Sequence, residues 1–417
     1  MPQQIYQINS ISMPEFPKDF FWGAATSSHQ IEGQNQYNDW WEWEKGTDRK
    51  ETSGEACRSY ELFREDFDLA RSLHHNAHRL SIEWSRIEPR EGAFSSQELA
   101  HYKEVIGALR ERQLEPIVTL HHFTNPLWFA QSGGWLNKRS TFYFLRYCER
   151  IVEALRDEVR YWVTINEPLV YAYHAYIIGI WPPQEKSFLK AKFVVDNMAS
   201  SHIEAYKRIH HIYKEKKLSS PRVGFAKNMQ AFATCRATWK NNLGVFLRHK
   251  LYNLSLIKRL IRHRALDYIG VNYYSRSLVD TRSWRFSHLL TDVCKDNCSR
   301  LKKNSLGWDV HPQGLYDLLL ALQTFRLPVF ILENGICTDD DNLRWEFIQE
   351  HLLAFALAME KGIQGLGYLY WSLIDNYEWD RGFSPRFGLI DIDYHTYKRT
   401  VRDSARKFSL VCETNRL

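Results

Sequence analysis

The chain has 417 residues, 44% of them hydrophobic, with 55 Lys and Arg against 49 Asp and Glu and a formal charge of +6. That length and apolar content can bury a large core. No run of about 18 apolar residues, no apolar N-terminal signal core and no lipidation motif is present, so neither a membrane-spanning nor a lipid-anchored chain is expected. No Pro/Gly/Ser-rich stretch, low-complexity tract or repeated block marks a linker, so one domain over 1–417 is expected.

In chain order, short apolar runs lie at 20–28, 77–84, 116–122, 161–167, 223–229, 268–274, 329–333 and 367–373. Stretches with helical periodicity separate them, as Leu62, Phe63, Phe67, Leu69, Ala70 and Leu73 illustrate. Eight strands alternating with helices imply an α/β fold, a single closed (β/α)8 TIM barrel with its active site at the C-terminal ends of the strands. A doubly wound open sheet is the alternative, but it usually carries a Gly-rich phosphate turn after the first strand, and Gly23-Ala24-Ala25-Thr26 is not one.

Two of these runs end in a carboxylate beside an asparagine: Thr164-Ile165-Asn166-Glu167-Pro168 and Ile331-Leu332-Glu333-Asn334-Gly335. A lone Glu after a strand is more often a salt bridge or a helix cap; the doubled pattern points to acid/base and nucleophilic work. A barrel would bring the ends of its fourth and seventh strands to one mouth, whatever their separation in the chain. The other strand ends supply Gln30, Glu32, Arg79, His121, His122, Asn272, Tyr273, Tyr274 and Trp371, and the chain holds 15 Trp. Amides, charges and flat rings in that mixture suit a sugar, whose hydroxyls need hydrogen bonds and whose C–H faces pack on aromatic surfaces.

The sequence resembles glycoside hydrolase family 1, the retaining β-glucosidases and β-galactosidases. The resemblance rests on segments 21–33, 79–87, 120–123, 164–168, 270–275, 333–335 and 371–379, in the family's order over most of the chain. It implies Glu167 as general acid/base and Glu333 as nucleophile, with Arg79, Asn166 and Tyr274 in support. Gln30, His122, Glu378 and Trp379 would bind hydroxyls, Asn166 would reach the 2-hydroxyl, Trp371 would be the stacking floor and Trp308 a wall of the aglycone side. Burial and the neighbouring carboxylate should keep Glu167 protonated, while Arg79 and Tyr274 should favour a charged Glu333. A carboxylate at 378 would repel a substrate phosphate, so an unphosphorylated terminal β-D-glucosyl unit, or a galactosyl or fucosyl one, is expected, hydrolysed without cofactor. Transglycosylation to a sugar or alcohol and a non-catalytic sugar-binding barrel are the alternatives; a metal-dependent hydrolase is a further one. Leu332 stands where Thr or Ser commonly precedes the nucleophile, and Phe123 replaces a common Trp. The chain is also short between Glu167 and Asn272, so the entrance is left open by the resemblance.

His74, His75 and His78 lack the Glu of a zinc-protease helix, so no metal is expected. Cys294 and Cys298 are separated by three residues, and the cysteines at 57, 148, 235, 337 and 412 are scattered, so neither a zinc site nor a disulfide framework is expected. The chain reads as cytoplasmic and reduced, which leaves the acceptor triplets at Asn253 and Asn297 without a role. The basic stretch 248–264, with Leu251, Leu254, Ile257, Leu260 and Ile261 at helical spacing, is expected to cover the barrel with a solvated face. Its sharper reading is an anionic membrane surface or an acidic partner; nothing points to nucleic acid, a small β-glycoside is the expected partner, and oligomeric state is not specified.

Overall fold

The computed structural model describes residues 14–46, 51–282, 292–294 and 298–417. Eight strands form the barrel: β1 (Phe21–Ala25), β2 (Ala77–Ser81), β3 (Glu115–Thr119), β4 (Tyr161–Asn166), β5 (Arg222–Thr234), β6 (Ile269–Asp280), β7 (Val329–Asn334) and β8 (Gly365–Trp371). Each pairs in parallel with its neighbours, β5 pairs β6, and β1 pairs β8, which closes the ring. The expected (β/α)8 barrel is thus the fold.

Small and large side chains share the barrel interior. Ala25, Ala77 and Ala226 leave room that Tyr268, Phe330 and Leu332 fill. A Cβ added to Gly224 on β5 would lie 2.5 Å from the Tyr268 ring. Gly224→Ala is therefore expected to cost about 1–3 kcal/mol by overpacking, read as a lowered denaturation midpoint. Outside, helix Ser59–Ser72 lays Phe63, Phe67 and Ala70 against the barrel, with Asp66 in the same buried stripe. Arg399 Nε, at 2.8 Å, and Ser59 Oγ, at 2.7 Å, satisfy that carboxylate.

Strands β5 and β6 run beyond the expected 229 and 274. After a register shift they stay paired from Ala231–Arg276 to Thr234–Val279, and a short strand, Asp292–Val293, adds antiparallel to the end of β6. This extension corrects one expectation. Cys235 N donates to Val279 O at 3.2 Å while Val293 pairs with Val279, so one residue of β6 aligns two distant cysteines. Cys235 and Cys294 form a disulfide, and the Cys298 sulfur lies 3.3 Å from that of Cys235 and 3.6 Å from that of Cys294. Spacing along the chain cannot show a meeting made by strand register.

The basic stretch 248–264 is helical, as expected, from the end of helix Trp239–Arg248 through His249–Leu254 and Ser255–Arg262. Leu254, Ile257 and Leu260 are buried, but Leu251 is exposed. Asn253 is fully buried and exchanges hydrogen bonds with the backbone of Gln230, so it is closed to modification; Asn297 lies outside the described residues. Among the described residues no helix is long and apolar enough to cross a membrane.

Candidate active site

A cavity of about 990 Å³ opens at the C-terminal ends of the strands, and Glu167 and Glu333 both line it. The strand alternation decides which neighbours join them. On β6, Asn272 and Tyr274 turn inward, while Tyr273 between them donates to His311 O at 2.7 Å behind the barrel. After β3, His122 lines the cavity, whereas His121 is held behind it by Asn125 at 3.1 Å. Glu32 also faces away, paired with Arg86 and Tyr102 at 2.8 Å each.

Glu333, at the end of β7, is buried among two donors. The Arg79 guanidinium meets Oε1, and Tyr274 Oη donates to Oε2 at 2.5 Å. Arg79 is held in turn by Thr119 Oγ1 at 3.0 Å and Asn166 Oδ1 at 2.8 Å. It lies beneath the cavity wall and acts on the site through Glu333.

Glu167 follows β4 and precedes Pro168, the first residue of helix Pro168–Tyr176. Its φ is +45°, a left-handed conformation that a non-glycine residue adopts at a cost of order 1–3 kcal/mol. The backbone compensates by donating from Glu167 N to Ala226 O at 2.9 Å. Its carboxyl accepts from Asn272 Nδ2 at 2.8 Å and Asn228 Nδ2 at 3.3 Å, both at Oε1. Two amides are weaker company than a guanidinium. Burial, and then the charge of Glu333, push the Glu167 carboxyl up to about 8. Asn166 links the two halves, since its Oδ1 accepts from both Arg79 and Asn272, the latter at 3.2 Å.

The remaining expected residues gather on one side. His122, Trp371 and Trp379 present nearly parallel rings, with His122 centred 5.9 Å from Trp371 and 6.0 Å from Trp379. Burial, and then the charge of Arg79, hold His122 well below the usual imidazole range, so it is neutral. Its Nε2 lies 3.3 Å from Asn166 Nδ2. Gln30 is fully buried behind the wall and donates to Glu378 at 3.1 Å. Trp308 lines the cavity opposite, its ring 6.1 Å from that of Tyr274. Glu378 departs from expectation in charge: burial, and then the charge of Glu333, push it up to about 8, so the repulsion of a phosphate expected from the sequence operates fully only above that value.

Sequence reasoning missed Lys227 and Asn228. Asn228 touches Glu167 directly, and Tyr252 Oη donates to Asn228 Oδ1 at 2.7 Å. The Lys227 ammonium sits 4.0 Å over the Tyr252 ring, and burial pushes it down to about 7. The available signal was an adjacent Lys-Asn pair interrupting the apolar run 223–229. The sulfurs of Cys235, Cys294 and Cys298 all lie within 4.8 Å of one another and, among the described residues, form the group that could share a soft metal ion only once the Cys235–Cys294 bond is reduced.

One carboxyl that holds a proton and one that is charge-paired, facing a single cavity walled by parallel rings, can deliver a proton and an electron pair to the same bound molecule. The glycosyl hydrolase family 1 model matches residues 12–234 and 255–417. A solved β-glycosidase from Pyrococcus horikoshii is 37% identical, with TM-score 0.90 over 97% of this chain and 96% of its own. The Thermotoga maritima β-glucosidase in complex with glucoimidazole is 28% identical, with TM-score 0.89 over 97% of this chain and 100% of its own. A galactolipid galactosyltransferase from Arabidopsis thaliana is 31% identical over 84% of this chain and 57% of its own. Since the match leaves out little besides 235–254, the chain belongs to glycosyl hydrolase family 1 and is a retaining β-glycosidase.

Proposed function

We propose that Glu333 is the nucleophile and Glu167 the general acid/base in hydrolysis of unphosphorylated, non-reducing terminal β-D-glucosyl units, with galactosyl or fucosyl units as further substrates. The observation that carries this reading is the opposite environment of two carboxyls on one cavity. A Glu333 oxygen attacks the anomeric carbon as the bond to the departing oxygen breaks, and Glu167 delivers its proton to that oxygen. Retaining chemistry of this kind needs the carboxyls about 5 Å apart. Glycosylation removes the charge of Glu333, one of the causes that raise Glu167, so the acid becomes a base. It then takes a proton from water as the water oxygen attacks the anomeric carbon and frees Glu333. Protons and electrons balance without a cofactor.

His122, Glu378 and Trp379 are proposed to take the sugar hydroxyls, Asn166 the 2-hydroxyl, Trp371 the ring face and Trp308 the aglycone; Gln30, expected from the sequence to bind a hydroxyl, is buried behind the wall and positions Glu378 instead. The name of the Thermotoga maritima neighbour, β-glucosidase, supports glucose as the main sugar. A cytoplasmic enzyme remains part of the proposal, in which case Cys235 and Cys294 would be held as thiols and the bond would form only on oxidation. The test is a panel of aryl β-glycosides: the glucoside should be turned over well and its 6-phosphate poorly, and turnover of the phosphorylated compound alone would overturn the substrate assignment.

The pH dependence has a definite sign. Glu167 must hold its proton to act as acid, so turnover of a glycoside with a poor leaving group should fall as pH rises through about 8. Asn272→Ala removes a donor to the charged carboxylate, which should move that limb to higher pH and slow turnover by roughly tenfold or more. A limb that stays in place would count against the assignment of Glu167.

A second reading, glycosyl transfer, is favoured by the outer cavity, where Ile177, Ile178, Phe188 and Val195 offer an alcohol an apolar acceptor side. The galactosyltransferase among the relatives supports it. Adding a long-chain alcohol should divert a measurable share of product from free glucose to the alkyl glucoside.

A further inference from the structure

Helix Trp239–Arg248 is amphipathic with its faces reversed. Its buried residues are Asn241 and Gly244, while Trp239, Leu243 and Phe246 form an apolar stripe on the outside, Trp239 being 70% and Phe246 55% exposed. Spacing of four and then three residues puts those side chains on one helix face. The orientation is fixed from within, because Asn241 Oδ1 accepts from Thr281 N at 3.0 Å and Thr281 Oγ1 at 2.7 Å, and its Nδ2 donates to Arg236 O at 3.0 Å. This helix lies in the stretch 235–254 that separates the two matched segments.

A second exposed group flanks the same cavity. Phe188, Leu189 and Phe193, in the first turns of helix Phe188–Glu215, are open to solvent, Leu189 by 66%. Phe188 and Lys192 from this helix line the cavity together with Arg248, the last residue of the other, and Tyr252 from the segment His249–Leu254 that follows it. Most of the exposed large apolar side chains among the described residues therefore fall on two helices beside one opening. A water-soluble glycoside calls for no such face.

The surroundings of the patch identify what covers it. Residues 236–264 carry eight Lys and Arg and no Asp or Glu. The Lys240 ammonium lies 5.7 Å from the Trp239 ring centre and that of Lys250 5.4 Å from Phe246, so cations flank the apolar stripe. Exposed rings flanked by lysines are the pattern of a helix lying in the interface of an anionic bilayer. The cavity repeats the polarity, with carboxyls and amides at the strand ends and Ile177, Ile178, Phe188 and Val195 toward the helices.

We infer that this face seats on an anionic lipid surface, and that the enzyme takes amphiphilic β-glycosides whose sugar enters the carboxyl end of the cavity while the hydrocarbon aglycone leads back to the lipid. The second half of this inference rests on the proposed glycosidase reading; the first does not. The test is flotation of the full chain with phosphatidylcholine vesicles, with and without phosphatidylglycerol, for the parent and for Trp239→Glu/Phe246→Glu. The parent should float with the phosphatidylglycerol vesicles and be released by salt, and the variant should bind at least roughly tenfold more weakly. The variant should hydrolyse a soluble aryl β-glucoside at the parental rate and a long-chain alkyl β-glucoside held in vesicles roughly tenfold more slowly. No flotation of the parent, or flotation that the double substitution leaves unchanged, would overturn the lipid face. So would sedimentation showing a parental dimer that the double substitution dissociates, since a second copy would then cover the patch. Inactivity of the parent on every soluble glycoside would instead sink the glycosidase reading and leave the flotation result standing.

Discussion

Glu333→Ala is expected to lower turnover of an aryl β-glucoside by at least roughly 10⁴-fold, because it removes the oxygen proposed to form the glycosyl-enzyme bond. The loss should appear in kcat even with an activated leaving group, since attack at the anomeric carbon is needed however good the departing oxygen. The same substitution strands Arg79, whose guanidinium is fully buried and pairs with Glu333. Breaking such a pair costs about 3–5 kcal/mol, so a lower thermal midpoint should accompany the loss. Glu333→Gln keeps the shape and a hydrogen-bond acceptor and separates the two effects: it should be nearly as inactive while retaining more stability. A folded Glu333→Ala or Glu333→Gln protein with parental turnover would remove Glu333 from the chemistry.

Glu167→Ala should behave differently, and its dependence on the leaving group is the informative part. A substrate whose leaving oxygen needs no proton can still form the glycosyl-enzyme, but water then lacks its base, so the intermediate accumulates and steady turnover falls by about 10²–10⁴-fold. Azide needs no base. Its addition should restore turnover of the activated substrate and yield the β-glycosyl azide, whereas a glycoside with a poor leaving group should stay slow. The limb near pH 8 ascribed to Glu167 should vanish in this variant. Rescue of the poor substrate by azide, or persistence of the limb, would assign the proton to another group.

The barrel was readable because its strands are apolar runs of similar length separated by helices of the right period, and closure follows once eight such units are present. The carboxyl pair was readable for a related reason: each Glu ends a run, and strand ends converge in this fold. What escaped came from strand direction and register. Tyr273 and His121 stand in the same runs as Tyr274 and His122, yet the pleat turns them to the back of the barrel. Lys227 and Asn228 lie within the run read as β5, but its apolar character drew attention to the core and gave no sign that this polar pair reaches Glu167. The cysteine cluster depends on the extension of β5 and β6 beyond the expected 229 and 274. The covering helix read from periodicity began at 248; helix Trp239–Arg248 just before it was not singled out, and Asn241, anchored to Thr281, shows that its apolar side faces out.

The charge of Glu378 was also beyond the sequence. A carboxylate was legible at that position, but its protonation depends on burial and on the nearby charge of Glu333. Below about pH 8 it holds a proton that it can donate to a sugar hydroxyl, while above that it accepts only.

The account stands on two carboxyls acting from opposite faces of one anomeric carbon, and NMR of the first sugar released from an aryl β-glucoside, recorded before mutarotation, tests this most directly. A double displacement through Glu333 predicts the β-anomer as the first product, with the α-anomer growing in afterwards. The α-anomer appearing first would mean that water attacks the substrate directly, and would contradict the assignment of Glu333 as nucleophile.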